Sequence, residues 1–424
     1  MTEIKEKLQD SNPWWKGAFT SAFKEREIYP KIKKFLRMPQ IIALTGLRRV
    51  GKTTIMLKIV EDALKDNFDP KHIIYFSFDD SKEADFRQIL SEYEKLMEKN
   101  IREGNYLLLF DEVQKVDNWQ EKMKIIYDNF GKNVKIILSG SESLFIRKRA
   151  KESLAGRIFE FKVEPLTFKE FLVFRGVSYQ PIGLYEKELR NLFDDFILTM
   201  GFPELYGVKD KETIRKYIKD GIVDKIIYKD IPRLFSIDDP SILESLINIF
   251  TEEPGQIIDL SELGKSLGLS RQTISNYLSY LEQSFLLRKL YNFSRNRRKI
   301  ERKLKKYYPT IISVNLVFRD DDTSRSKVFE WLLVNELDAE FFWRDSYKNE
   351  VDVVKAEEKI LAMEIKYGKI ETTGISAFMR KFKVIHGLIL SYEKQDKINV
   401  KEGVIDIVPA WKFLMTSDTY SKTK

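Results

Sequence analysis

Cysteine is absent from the 424 residues, which excludes disulfides, thiolate-held zinc and iron–sulfur clusters. Histidine is nearly absent too: His72 and His386 are the only two, both beside strand-like runs and far apart in sequence. Structural roles suit them better than a shared metal or a proton relay. No apolar run approaches the roughly 18 residues that span a bilayer, and the start "MTEIKEKLQD" lacks the pattern of a signal peptide. A cytoplasmic protein with no membrane partner is therefore expected. Whatever chemistry the chain performs must come from carboxylates, lysines, arginines and bound metal.

What is present describes folded domains. Hydrophobic residues make up 43% and charged residues 33%, a globular balance, and the length allows two or three cores. Lys+Arg outnumber Asp+Glu by 73 to 65, and a formal charge of +8 suggests an anionic partner only if the excess is concentrated somewhere. Abundant Lys, Glu and Ile without Cys is also a habit of heat-adapted proteins.

No repeat or low-complexity linker divides the chain. Trp14 and Trp15, in "SNPWWKGAF", are placed to anchor an N-terminal arm. From Gln40 to about Pro165, the short apolar runs "IIALTG", "HIIYFSF", "YLLLFDE" and "VKIILSG" alternate with amphipathic segments. A parallel sheet covered on both faces requires such runs. The pattern is helical from Leu166 to about Ile249. A compact helical unit, a basic run and a mixed α/β tail follow.

"GLRRVGKTT" fits G-x-x-x-x-G-K-[ST] through Gly46, Gly51, Lys52 and Thr53, and it stands between a strand and a helix. Its glycines let backbone N–H groups converge, and the helix N-terminus adds partial positive charge. Lys52 reaches β- and γ-phosphates and Thr53 offers a hydroxyl to Mg²⁺. Arg49 and Thr54 complete the cofactor-binding set. Asp111 and Glu112 end the strand "YLLLFDE", Asp111 to hold magnesium and Glu112 to orient or deprotonate the attacking water. Ser139 and Ser141, after "VKIIL", are placed to sense the γ-phosphate. ATP and Mg²⁺ are the expected cofactors.

The set "GLRRVGKTT", "LLLFDEVQKVDNWQ", "ILSGSES", "SLAGR" and "PLTFKEFL" resembles the archaeal and bacterial P-loop ATPases of the AAA+/STAND type. Their usual partner is a C-terminal domain related to restriction endonucleases. The resemblance implies an arginine finger at Arg157, or at Arg147 or Arg149, and hence a homo-oligomer that completes each site with a neighbour's residue. It also implies that Gly201 and Pro203, in "GFPE", form a lid motif against the adenine ring. Read without the resemblance, "GFPE" is a plain turn, and both readings stay open.

In "LSELGKSLGLSRQTISNYLSYLEQSFLL" two helices follow one another at helix-turn-helix spacing, the mark of a winged helix. Ile274, Tyr277, Leu278 and Leu281 form the inner stripe, while Arg271, Gln272, Ser275, Asn276 and Ser279 face outward, suited to a major groove. Packing alone is the other use of such a unit. The run Arg295–Lys306 favours DNA: it holds eight Lys and Arg against one Glu. Neutralising five phosphates would give a log–log salt slope of roughly −4 to −5.

The last motif is "NEVDVVKAEEKILAMEIKYGK". Asp352 precedes a strand-turn-strand in which Glu364 and Lys366 lie two apart, on one face. Glu330, on the helix "SKVFEWLLVNEL", is placed as a further metal ligand. Such carboxylates with a lysine can hold Mg²⁺ beside an attacking water. Charged hairpins also produce the pattern freely. The stretch "KKYYPTIISVNLVF" departs from the family's KYYF-D-G pattern.

The expected fold is α/β: a P-loop parallel-sheet ATPase core with an N-terminal arm (1–165), a helical lid (166–250), a winged helix with the basic run (251–306) and a restriction-endonuclease-like domain (307–424). The expected function is ATP binding and hydrolysis coupled to DNA binding, with metal-dependent cleavage by Asp352, Glu364 and Lys366. The alternative is a STAND-like nucleotide switch whose C-terminal domain is an inert interaction module.

Overall fold

The structure is a computed structural model that describes residues 3–79, 84–130, 133–141, 154–235, 237, 239–356 and 359–420. Two compact units divide the chain, Met1–Pro165 and Leu166–Lys424.

The first unit is built on five strands: β1 (Ile41–Thr45), β2 (Ile73–Ser77), β3 (Tyr106–Asp111), β4 (Val134–Gly140) and β5 (Ile158–Lys162). They lie in the order β2-β3-β4-β1-β5, and every pairing is parallel. β1 and β3 are buried at every position, as uninterrupted apolar runs demand once helices cover a sheet. The helices Lys52–Lys65, Phe86–Met97 and Trp119–Phe130 supply that cover.

The arm protects an edge. β2 ends the sheet, and its outward carbonyls and amides would otherwise be open to another chain. Asn12 accepts from the Tyr75 amide at 2.7 Å and donates to the Tyr75 carbonyl at 2.9 Å. The indoles of Trp14 and Trp15 both donate to the Ile73 carbonyl, at 3.1 and 2.8 Å. Side chains thus stand in for a missing sixth strand, which gives the two tryptophans the anchoring role their position suggests.

In the second unit, helices Phe168–Val173, Glu186–Thr199, Lys211–Ile218 and Ser241–Glu252 come first. Two capped helices follow. Asp259 accepts from the amides of Ser261 and Glu262 to start Leu260–Leu267, and Ser270 accepts from Thr273 to start Arg271–Gln283. Gly268 closes the first of them at φ 67°, where a side chain would be strained. Ile274, Leu278 and Leu281 are buried as their spacing predicts, and Tyr277 is only half-buried.

Nine strands then make one mixed sheet: β6 (Gln256–Ile258), β7 (Leu287–Asn292), β8 (Lys305–Pro309), β9 (Phe341–Arg344), β10 (Glu350–Ala356), β11 (Ile360–Lys366), β12 (His386–Ser391), β13 (Asp396–Val400) and β14 (Gly403–Pro409). Their order is β13-β14-β12-β11-β10-β9-β7-β8-β6. The parallel pairing of β7 with β9 joins the strands around the helix pair to those of the C-terminal tail. β8 runs through position 306, where a domain boundary was expected, so no break in the sheet falls there. Helix Asp322–Glu336 packs on β8, β10 and β11, and helix Thr373–Phe382 packs on β10, β11 and β12.

One lysine fixes the entrance to the first core strand. Lys135 of β4 donates to the carbonyls of Phe35, Met38 and Gln40 at 3.0, 2.8 and 2.6 Å, closing off helix Ile28–Phe35 and aligning the chain into β1. Burial pushes its ammonium down only to about 8, so it stays charged at neutral pH. Lys135→Met leaves those carbonyls without their donor. A loss of about 2–3 kcal/mol in chemical-denaturant unfolding is expected, with little change in the denaturant slope.

Candidate functional site

The loop after β1 and the end of β3 meet at one end of the first sheet. β4 lies between them, so β1 and β3 stand about 10 Å apart, a span that side chains can close. Gly46 opens the loop at φ 139°, and a Cβ there would lie 2.1 Å from the Val163 carbonyl oxygen. Only glycine fits. Gly51, at φ 97°, caps helix Lys52–Lys65, whose first amides face the loop.

Side chains then close the gap. Thr53 Oγ1 donates to Asp111 Oδ2 at 2.7 Å, and Tyr75 of β2 donates to the same oxygen at 3.0 Å. The Ser139 hydroxyl donates to Asp111 Oδ1 and accepts from the Glu112 amide at 3.2 Å. Gln114 bridges the Glu112 carboxylate at 2.6 Å and the Ser141 hydroxyl at 2.9 Å. Lys52 is buried and folds onto its own loop, donating to the carbonyls of Gly46 and Leu47 at 3.1 and 2.7 Å. Glu112 takes a left-handed backbone (φ 57°), a strained setting for a residue other than glycine. Burial pushes its carboxyl above the usual range, against the pull of Lys52 and Arg48.

Sequence reasoning missed three members of this site. Arg26, from the arm, is buried beside Gly51 and donates to the carbonyls of Val50 and Glu164 at 2.9 and 2.7 Å, tying the loop from behind. Tyr75 and Gln114 are the others. Gln114 had a signal, sitting three residues after Asp111; Arg26 and Tyr75 had none.

Arg157 precedes β5 at the end of the sheet opposite the loop and pairs with Asp128 at 2.9 Å. Arg147 and Arg149 fall outside the described residues. Arg49 is exposed at φ 64° on the loop, and Thr54 is half-buried on the first helical turn. Gly201, at φ 71°, and Pro203 form a tight turn in the second unit, with the Gly201 carbonyl accepting from the Leu166 amide at 2.7 Å.

A second cluster of ionisable groups lies within the nine-stranded sheet. Lys306 of β8 donates to Glu330 at 2.9 Å and to Glu350 at 2.7 Å, and stands 3.7 Å from Asp352. Tyr308, two residues on and so on the same face, donates to Glu330 at 2.5 Å. Asp352 accepts from the Ile365 amide at 2.8 Å, and Lys366 pairs with Glu364 at 2.8 Å. The expected Glu330, Asp352, Glu364 and Lys366 are thus brought together, with Lys306, Tyr308 and Glu350 added. Glu364 is as buried as its neighbours Met363 and Ile365, so the ion-bearing face of the hairpin is covered.

Burial pushes the Asp352 carboxyl well above the usual range, reinforced by Glu330 and Glu364. Burial raises Glu364 as well, against the pull of Lys366. Glu330 is held below the usual range because Lys306, Tyr308 and Lys366 outweigh its burial. For Lys306 burial opposes the charge and the surrounding carboxylates prevail, so it stays an ammonium. Among the described residues, no group of three or more carboxylates or histidines is arranged to hold a metal ion. Of the metal set expected at Glu330, Asp352 and Glu364, the first and second face a lysine, Lys306.

That placement also corrects the basic run. Lys306 points inward, Lys303 donates to Asn292 at 3.1 Å, and Lys305 caps the carbonyls of Ile300 and Lys303. Arg295 donates to the Phe382 carbonyl at 2.8 Å. Arg297, Arg298 and Lys299, on the short helix Arg297–Arg302, are exposed. So are Arg271, Gln272 and Asn276, with Gln272 donating to Asn276 at 2.9 Å.

Residues 38–172 match the family model described as an AAA domain, and residues 190–310 match a model described as a domain of unknown function, DUF8612. The chain is similar to an uncharacterized protein of Methanocaldococcus jannaschii, 29% identical over 89% of this chain and 88% of the relative. It is similar also to an uncharacterized protein of Haemophilus influenzae, 29% identical over 59% of this chain and 62% of the relative. Among solved structures, Cdc6p of Pyrobaculum aerophilum aligns at 11% identity and a TM-score of 0.31, covering 76% of this chain and 98% of that one. No helix among the described residues is long and apolar enough to cross a membrane. The AAA match spans the parallel five-stranded sheet and its glycine loop, so the first unit is similar in sequence to an AAA domain over the whole of that sheet.

Proposed function

We propose that the chain binds ATP with Mg²⁺ at the loop Gly46–Thr54, hydrolyses it, and couples that cycle to DNA held by the second unit. The observation that carries the ATPase half is the direct contact of Thr53 with Asp111, beside a buried Lys52. A hydroxyl and a carboxylate 2.7 Å apart are the donor set that Mg²⁺ takes between phosphate oxygens, so these residues fit the ion. Bound there, Mg²⁺ supplies charge neutralisation at the phosphates.

The chain's own groups do the rest. Lys52 exchanges two loop carbonyls for phosphate oxygens, and the first amides of helix Lys52–Lys65 cradle the same charge. Glu112, raised by burial and oriented by Gln114, is a fitting acceptor for the proton of an attacking water. Ser139 and Ser141 connect Asp111 and Glu112 to the end of β4, a route by which the phosphate state reaches the middle of the sheet. Arg157 lies at the far end of its own sheet, so it would serve only a neighbouring copy's nucleotide, in keeping with an oligomer.

Support for DNA comes from the capped helix pair and the basic connection between β7 and β8, the pattern of a winged helix. With Arg297, Arg298 and Lys299 exposed, about three phosphate contacts correspond to a salt slope of about −3.

The buried Lys306 favours the second reading for the C-terminal portion, a catalytically inert module. Its ammonium takes up carboxylate oxygens that a nuclease would need for metal.

Lys52→Ala is expected to abolish ATP turnover without unfolding the chain, as followed by phosphate release and circular dichroism. Arg26→Met, which frees the loop from behind, should weaken binding of a fluorescent ATP analogue about tenfold or more while leaving β2 and its arm in place. Duplex DNA should stimulate turnover in the parent. Arg297→Ala/Arg298→Ala/Lys299→Ala should remove that stimulation and flatten the salt slope by about 3. Unstimulated turnover across salt and DNA types would overturn the DNA half, and plasmid nicking that requires Asp352 would overturn the inert module.

A further inference from the structure

Four carboxylates, Glu330, Glu350, Asp352 and Glu364, come from one helix and two strands to a single buried place. Acidic residues assembled in a core need a compensating positive charge or must take up protons. Here that charge is Lys306, 5% exposed, which donates to Glu330 and Glu350 and stands 3.7 Å from Asp352. Lys366 answers Glu364 in the same way, though Glu364 Oε2 is buried with no hydrogen-bond partner.

We propose that Lys306 is a built-in cation occupying the place where a divalent metal would otherwise sit, so that the parent protein takes no Mg²⁺ or Mn²⁺ at this cluster and its removal creates a divalent-cation site. This inference rests on the inert-module reading and adds what makes the module inert. A divalent ion needs the carboxylate oxygens at about 2.0–2.1 Å for Mg²⁺, and it needs several of them at once. The oxygens of Glu330 and Glu350 nearest that place are already committed to the ammonium.

Strand parity puts Lys306 there. On β8, Lys306 and Tyr308 share one face, and Tyr308 gives its hydroxyl to the same Glu330. Arg344, 3.6 Å from Glu350, adds positive charge on the far side of that carboxylate. A metal entering beside Lys306 and Arg344 would meet like charge at contact range. Removing the lysine leaves Glu330, Glu350, Asp352 and the Tyr308 hydroxyl without the cation between them, free to close on another.

The test uses the nucleotide-free full chain, with Mn²⁺ as the probe. In the parent, Mn²⁺ titrated by electron paramagnetic resonance should show no bound equivalent that disappears in Asp352→Asn, and millimolar Mn²⁺ should not shift the unfolding midpoint of the second unit. Lys306→Met should unfold several degrees lower in EDTA, regain most of that loss in Mn²⁺, and bind one equivalent that Lys306→Met/Asp352→Asn does not. Comparison with Asp352→Asn separates this site from the phosphate loop. One equivalent of Mn²⁺ bound by the parent and lost in Asp352→Asn would overturn the inference, even if plasmid stays intact and the module is inert. A folded Lys306→Met that gains nothing from Mn²⁺ would also overturn it. Should Lys306→Met fail to fold in both buffers, the parent titration decides alone.

Discussion

Charge is expensive to bury, and both units are organised around that expense. In the first, Asp111 sits 4% exposed at the end of β3 and accepts from Thr53, Tyr75 and Ser139, which belong to the loop helix, β2 and β4. A carboxylate removed from water with so many donors is stabilised only while every donor keeps its place, so the loop, the strand ends and the arm behind them are ordered together. In the second, Lys306 imposes the same condition on helix Asp322–Glu336 and on β10. The two differ in what can replace the partners. Around Asp111 they are neutral hydroxyls, which a hydrated magnesium ion can displace at little electrostatic cost. Around Lys306 they are carboxylates, and nothing neutral can take the lysine's part.

The phosphate loop was legible because its chemistry is contiguous. Glycines, lysine and threonine must follow one another within nine residues to turn amides toward one point, and the apolar runs on either side announce the strand and helix that hold them. Asp111 and Glu112 were legible as the polar end of a strand otherwise wholly apolar. Arg26 and Tyr75 were not, since each acts on groups more than twenty residues away and neither sits in a pattern that distinguishes it from a surface arginine or a core tyrosine. What places them is the parallel order of the strands, which a single sequence does not print.

Lys306 shows how a correct compositional reading misleads locally. As one more cation in "RNRRKIERKLKK" it belongs to a solvated basic run, and the run does present Arg297, Arg298 and Lys299 outward. The change comes where helix gives way to strand. From Lys305 onward alternation governs, and Lys306 and Tyr308 turn inward while the helix before them faces solvent. The pair "KKYYP" carried that signal in its two tyrosines, which are too apolar for a solvated face. The members of the D…E-x-K hairpin converge as their spacing suggests, but that spacing says nothing about a cation arriving from a strand almost fifty residues earlier.

That arrival links two features that sequence kept apart. β8 is continuous with the basic helix at its start, pairs with β6 and β7 around the capped helices, and ends beneath Trp331, which donates to the Pro309 carbonyl at 2.7 Å. A force that displaces the helix Arg297–Arg302 is therefore carried by a strand whose second residue holds the carboxylate cluster together. Because the cluster cannot lose its cation without leaving three carboxylates facing one another, it resists that displacement and keeps the basic connection in register with the sheet. A lysine in this place ties the exposed arginines of the preceding helix to the sheet behind them.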